Sequence, residues 1–284
     1  MRSIIIGMLA ETPVHPGAGR STGFVDLPVA RESITDYPVI VGSSLKGALK
    51  DRARDKWPGK KAENGEEAAQ SEEVERAFGK QDGAGDLIVS DARLLLLPVR
   101  SLTGHYKWAT CPNILERLSR DIYRSGFENK LKIPKTDSKP KNGAVHGEGS
   151  DKIFLEEREF EIAGKADESV IEAIDQLMPN RASAERLAEQ LIVLSDDDFK
   201  WFASYGLSIN ARNALNPDTK TTIPGALWYE ETLPVDSLFY TLFLERGDGS
   251  IDRVKTLVDE RPYLQVGGNE TVGQGWFALK LVGE

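Results

Sequence analysis

Apolar residues along this chain fall into short dense runs separated by long polar connections. Residues 3–9 form an almost unbroken apolar run, the pattern of a strand buried on both faces. Leu87–Ser90, Arg93–Val99, Ile153–Leu155, Phe160–Ile162, Leu238–Leu244 and Phe277–Val282 read as further strands. Helical spacing is clearest in Cys111–Tyr123, where Ile114, Leu115, Leu118 and Ile122 share one face. Leu45–Trp57 is predicted to be a helix with Ser43 and Ser44 as N-cap candidates. Helices are also expected at Val74–Phe78, Glu168–Met178, Ala182–Ile192, Asp198–Tyr205 (capped by Asp197) and Asp252–Glu260.

The connections are as informative as the elements. Residues 11–36 form a long linker rich in Gly, Pro and polar side chains, and linkers of that length inside a domain are usually functional or disordered. Residues 129–151 are rich in Lys, Pro and Gly without apolar periodicity, the pattern of a flexible insertion. Two extended arms around Asn216-Pro217-Asp218, within residues 206–227, predict a protruding hairpin. Strands and helices alternate irregularly, with no repeat and no heptad. That favours a single α+β domain over residues 1–284, carrying insertions, rather than a doubly wound sheet.

Composition narrows the class. The 284 residues include one cysteine, Cys111, so no internal disulfide forms and a reducing cytoplasm is expected. The segment Met1–Leu9 leads into Glu11 rather than a small-residue cleavage site, so it reads as a strand and not a signal peptide. No apolar run is long enough to span a bilayer, and no membrane partner is expected. His15, His105 and His146 are widely spaced and form no zinc pattern. The net charge of −9 argues against nucleic acid when taken as a sum. Its distribution argues otherwise: residues 44–61 hold seven Lys or Arg against two Asp, and residues 130–141 hold five Lys against one Asp.

Four places carry candidate chemistry. Gly267-Gly268-Asn269-Glu270-Thr271-Val272-Gly273-Gln274-Gly275 is a glycine-rich loop that precedes a strand, which excludes a Rossmann fingerprint and a P-loop. It is either a backbone cradle for phosphate or a wide turn. His15 and Asp26 share the first long linker, where they form an acid–base pair near a phosphate or a solvated histidine and a turn cap. Ser43, Ser44, Lys46 and Lys50 open a helix, either as a phosphate site or as an ordinary capped start. Trp228-Tyr229-Glu230-Glu231 offers paired carboxylates beside aromatics, suited to metal binding, proton transfer or base stacking, or simply the start of a strand.

These pieces together resemble one family. Pro38–Lys50 is similar to the first-helix motif of the RAMP superfamily of CRISPR proteins, and Gly267–Gly275 resembles its C-terminal glycine loop. His15–Gly17, Val25–Glu32, Pro98–Leu102, Leu227–Glu231 and Gly268–Gly273 resemble the backbone subunits of type III-B (Cmr) effectors, in the same order and across essentially the full length. The resemblance implies a modified ferredoxin-like (RRM-like) core with a lid near 105–150 and a thumb hairpin near 207–226. It implies copies stacked along a CRISPR guide RNA (crRNA), with other Cmr subunits and a target RNA as partners. Each thumb would displace one nucleotide of the guide–target duplex, and each copy would cut the target beside it, so that cuts fall at regular intervals. By the same resemblance Asp26 is the catalytic carboxylate with His15 nearby, and Tyr229, Glu230 and Glu231 lie near the cut. Ser43, Ser44, Lys46, Lys50, Gly267, Gly268, Asn269, Thr271, Gly273 and Gly275 would bind RNA, and a divalent metal, Mg²⁺, would assist cleavage. The alternatives within the superfamily are a non-catalytic filament subunit and a nuclease that processes the CRISPR transcript.

Overall fold

The computed structural model describes residues 2–57, 71–136, 144–149, 151–247 and 249–283. The chain opens with β1 (Ser3–Ala10), and the long linker leads to β2 (Val39–Ile40), α1 (Gly42–Lys56), α2 (Glu72–Phe78), β3 (Leu87–Val89) and β4 (Ala92–Arg100). The middle third contains β5 (Tyr106–Thr110), α3 (Pro112–Arg124), β6 (Ala144–Gly147), β7 (Lys152–Leu155), β8 (Arg158–Gly164), α4 (Glu168–Asp175), α5 (Arg181–Gln190), β9 (Leu191–Val193) and α6 (Asp196–Tyr205). The last third contains β10 (Ser208–Leu215), β11 (Thr222–Thr232), β12 (Leu238–Glu245), α7 (Ser250–Glu260), β13 (Tyr263–Gln265), a 3₁₀ turn at Glu270–Val272, and β14 (Trp276–Val282).

The apolar run of β1 demands cover on both faces and partners on both edges. It receives β12 on one edge and β14 on the other, both antiparallel, so that Ile6 lies opposite Thr241 and Leu281. β12 pairs in turn with β3 and β4, again antiparallel. The centre of the sheet therefore reads β14-β1-β12-β4, with α1 on the path from β1 to β4 and α7 on the path from β12 to β14. From β4 the same sheet continues through β5, β9, β6, β8 and β7. The result is a mixed α+β fold with one large sheet and, among the described residues, seven α-helices.

Gly7 shows how closely the layers meet. A Cβ at this position would lie 1.9 Å from the carbonyl oxygen of Leu177, in the segment between α4 and α5. Backbone sits directly on backbone there, so a methyl group would have to push either β1 out of its sheet pairing or the α4–α5 segment off the sheet. Gly7→Ala is expected to lower stability by about 1–3 kcal/mol or more, read as a fall in the denaturant midpoint at constant m-value. An unchanged midpoint would show that the segment moves aside freely.

Several local expectations are corrected by the structure. Ser43 and Ser44 do not cap α1, which begins at Gly42 with Val41 as N-cap and no side-chain cap bond from it. The Asp91 carboxylate accepts from the Gly42 N–H at 2.7 Å instead, a cap supplied from across the fold. α6 is capped by Ser195, whose hydroxyl accepts from the Asp198 N–H, and not by Asp197. Leu191 and Ile192 leave the expected helix to form β9, fully buried and parallel to β5. Three consecutive buried apolar residues satisfy a strand between two layers better than a one-faced helix. β6 arises inside the segment read as irregular, pairing with β8 and β9. Residues 137–143 of that segment, Lys139 and Lys141 among them, lie outside the described residues. The stretch 105–150 also contributes to the core: Trp108 of β5 and Leu115 and Leu118 of α3 are fully buried.

The hairpin is present and forms its own two-stranded sheet, with β10 and β11 in register from Ser208 opposite Thr232 to Asn213 opposite Leu227 and a shifted pairing of Leu215 with Thr222 nearer the turn. Its outer residues are exposed or half-buried, and only Glu230, Glu231 and Thr232 at its root are buried. The turn is held by the Asn216 side-chain oxygen, which accepts from the N–H groups of Asp218 and Thr219. No described helix is long and apolar enough to cross a membrane.

Candidate nucleic-acid interface

The root of β11 organises the site. One edge of this strand pairs with β10, and the other receives the long linker. Leu27 donates its N–H to the Tyr229 carbonyl at 3.0 Å, the Glu231 N–H donates back to the Leu27 carbonyl at 3.0 Å, and the Leu233 N–H donates to the Val14 carbonyl at 2.8 Å. The half-buried Asp26 accepts from the Tyr229 N–H through Oδ2 at 2.7 Å. His15, which is buried, places Nδ1 2.8 Å from the Glu231 carbonyl. A carbonyl only accepts, so Nδ1 carries the proton in this bond. Asp26 and His15 are thus docked two residues apart on one strand, a rise of about 7 Å.

Glu230 and Glu231, adjacent on a strand, point to opposite faces. Both are buried, and their partners separate their roles. Glu231 accepts from Arg31 at 2.6 Å and from the Val29 N–H at 3.0 Å, which pins the linker to the strand. Arg31 also donates to the carbonyls of Asp36 and Ala203. Glu230 accepts from Asn269 at 2.6 Å and from Arg212 at 3.2 Å, which ties the hairpin root to the glycine loop. Both glutamates thus tie neighbouring elements together, and Asp26 is the most accessible carboxylate of the three.

The glycine loop lies against the same linker. The Gly268 N–H donates to the His15 carbonyl and the Gly275 N–H to the Pro13 carbonyl, both at 2.9 Å. Gly267, Gly273 and Gly275 have φ between +81° and +97°, and Asn269 has φ +63°. Gly275 could not carry a side chain in any case, because a Cβ would lie 2.3 Å from the Val266 carbonyl. Val272, Gly273 and Gln274 donate their N–H groups inside the loop. The N–H groups of Gly267, Asn269, Glu270 and Thr271 find no acceptor among the described residues, and Gly267 and Thr271 are exposed. The untaken donors of the nine-residue cradle are thus Gly267 and the residues at the start of the 3₁₀ turn.

The first-helix residues stand apart from this cluster. Lys46 donates to the Leu87 carbonyl at 3.2 Å and Lys50 to the Gly79 carbonyl at 2.7 Å. Partial burial, with Lys50 and Arg246 nearby, holds the Lys46 ammonium below its usual range. Ser43 and Ser44 are exposed. It is Arg52, further along α1, that reaches toward the glycine loop, donating to the Tyr263 carbonyl of β13 at 2.7 Å.

Some site residues carried no motif. Phe24 is 80% exposed, and its ring stacks on Tyr229 with centroids 5.7 Å apart and planes 19° from parallel. Arg31 and Arg212 are the cations that neutralise the two buried glutamates. A pattern search for buried carboxylates would have asked for such cations but could not have chosen among the arginines. Cys111 is buried and its thiol is pushed up to about 12 by burial, so it offers no thiolate at neutral pH. Among the described residues no group of three or more His, Cys, Asp or Glu is arranged to hold a metal.

The model of the RAMP superfamily matches residues 8–278. The chain belongs to the RAMP superfamily. Over 99% of its length this RAMP chain is 36% identical to the Cmr endoribonuclease Cmr4 of Pyrococcus furiosus, of which the match covers 96%. It is 25% identical to the CMR subunit Cmr4 of Saccharolobus solfataricus, over 97% of this chain and 95% of that one. The crystal structure of oligomeric Cmr4 from Pyrococcus furiosus superposes with a TM-score of 0.75 at 31% identity, covering 99% of this chain and 98% of the other. A chain of the type III-B Cmr-beta complex bound to cognate target RNA shares the fold, with a TM-score of 0.75 at 20% identity. The likeness carried by five short motifs thus extends over the whole RAMP domain.

Proposed function

We propose that this chain is the guide-RNA-binding backbone subunit of a type III-B CRISPR effector and that, in the assembled complex, it cuts target RNA at regular intervals in the cytoplasm. The observation that carries the reading is the placement of Asp26: a half-buried carboxylate clamped at the root of an exposed hairpin, within the same hydrogen-bonded unit as the glycine loop. The strand order β14-β1-β12-β4 with two helical crossovers supports a ferredoxin-like core. The hairpin then serves as the thumb and the segment 105–150 as the lid.

In this reading the hairpin displaces one nucleotide and bends the target so that a 2′-OH lines up with its own phosphate. The Tyr229 N–H holds Oδ2 of Asp26, which leaves Oδ1 to take the 2′-OH proton. The 2′-oxygen bonds to phosphorus, the P–O5′ bond breaks, and the departing oxygen takes a proton from water. The products are a 2′,3′-cyclic phosphate and a 5′-OH. Mg²⁺ typically needs one or two carboxylates together with phosphate oxygens, and Asp26 with the RNA fits that donor set. The ion would supply charge neutralisation at the phosphate. His15 holds β11 and the glycine loop in place through its ring and its carbonyl.

The test is to purify the protein with its bound RNA and sequence that RNA, then to supply the complex with end-labelled complementary RNA. CRISPR-derived spacers and a ladder of evenly spaced cuts are expected. Spacers without any cutting would indicate a purely structural subunit. Cleavage of repeat RNA by the isolated chain would indicate transcript processing.

A further inference from the structure

Helix α3 presents Arg117, Arg120 and Arg124 at positions i, i+3 and i+7, a single face. Together with Arg93 of β4 and Arg31 of the linker, they line an open groove of about 670 Å³. Two carboxylates aim these guanidiniums. Asp121, which is buried, accepts from Arg93 at 2.5 Å and Arg124 at 3.2 Å, and also from the Tyr240 hydroxyl at 3.1 Å. Glu32 accepts from Arg117 at 2.6 and 2.8 Å. Arg120 is exposed and makes no ion pair among the described residues. Asp91, the third acid on the wall, is engaged by the Gly42 N–H. Arg31 is already paired with Glu231, and the other four guanidiniums face three carboxylates, so Arg120 carries the local positive surplus on a chain of net charge −9.

The groove is continuous with the candidate site. Arg31 lines it and also donates to Glu231, and Ser33 and Ile34 of the same linker form part of its wall. Tyr123, adjacent to Arg124 and three residues from Arg120, is 78% exposed and offers a ring for base stacking. Planar guanidinium forks held by fixed carboxylates suit phosphate oxygens. The α1 lysines expected for that task donate to backbone carbonyls of their own chain. A bare acidic protein surface would use the charge but not the exposed ring.

We propose that the α3 groove grips the ribose-phosphate backbone of an RNA strand, with Arg120 and Arg124 as its two most accessible phosphate contacts. This rests on the RNA-binding reading above and adds a site to it. The test uses the full chain carrying Arg120→Ala and Arg124→Ala together, a fluorescein-labelled oligouridylate as probe, and anisotropy across a salt series. Asp121 keeps Arg93 and Tyr240 in this variant, so the thermal midpoint should match the wild type and confirm folding. Binding should weaken by on the order of tenfold, and the slope of log affinity against log salt should fall by about 1.4, two contacts at ~0.7 each. Arg120→Lys with Arg124→Lys should restore most of that slope. Wild-type affinity and slope in the alanine variant would overturn the groove and leave the RNA-binding reading intact. Unchanged RNA binding with lost self-association in sedimentation would overturn it in favour of a second copy of this chain. If the wild-type chain failed to bind the probe even at low salt, the broader reading would fall and the groove with it.

Discussion

Asp26→Asn will reduce target-RNA cutting by the assembled complex by about 10²–10⁴-fold, while guide binding and assembly stay at wild-type levels. Asparagine is nearly isosteric and its side-chain oxygen still accepts from the Tyr229 N–H, so the clamp on β11 survives. What disappears is the basic oxygen that takes the 2′-OH proton, and with it a negative charge that could face Mg²⁺. The measurement is a single-turnover cleavage assay beside co-purification of guide RNA. Cutting at the same spacing and rate would remove Asp26 from the chemistry. Loss of guide RNA as well would mean that the residue acts on the fold.

Glu231→Leu is expected to cost about 3–5 kcal/mol, the range for removing one partner of a buried ion pair. The pair with Arg31 is largely buried, with side-chain exposures of 17% and 9%. Leucine would leave the Arg31 guanidinium without its carboxylate and the buried Val29 N–H without an acceptor. Glu231→Gln keeps a neutral acceptor for both and should cost less than half as much. Pairing Glu231→Leu with Arg31→Met should cost clearly less than the sum of the single changes, because the orphaned charge is removed with its partner. Urea denaturation measures the four variants beside the wild type. Strict additivity would show that the two side chains do not act as a pair. Cutting should also fall in Glu231→Leu although Asp26 is untouched, since the linker carrying Asp26 is pinned to β11 through Glu231.

Most strands were legible in the sequence because a buried strand writes its burial as consecutive apolar residues. Residues 3–9 and 238–244 match β1 and β12 to within a residue at each end. The hairpin was legible through its turn residues, and α3 through its apolar spacing. Failures occurred where one sequence suits two states. Leu191–Val193 follow α5 directly and suit a helix by type, and pairing with β5 on one side and β6 on the other makes them a strand. Ser43 and Ser44 are good caps by type, yet Asp91 arrives from β4's start to do that work.

The site shows the same division. The types of its residues were set by the chain itself: a histidine and an aspartate on one glycine-bearing linker, adjacent glutamates at the root of a hairpin, and a glycine loop before the last strand. Those are local patterns, and local patterns survive in a one-dimensional reading. Which of them meet was decided only by the tertiary structure. The linker had to fold back onto β11 before Asp26 could take the Tyr229 N–H, and burial of the two glutamates called for Arg31 and Arg212, some 200 and 18 residues away. A buried charge is tolerated only beside its counter-charge, so the partner is chosen by proximity in the folded state, which spacing along the chain does not encode.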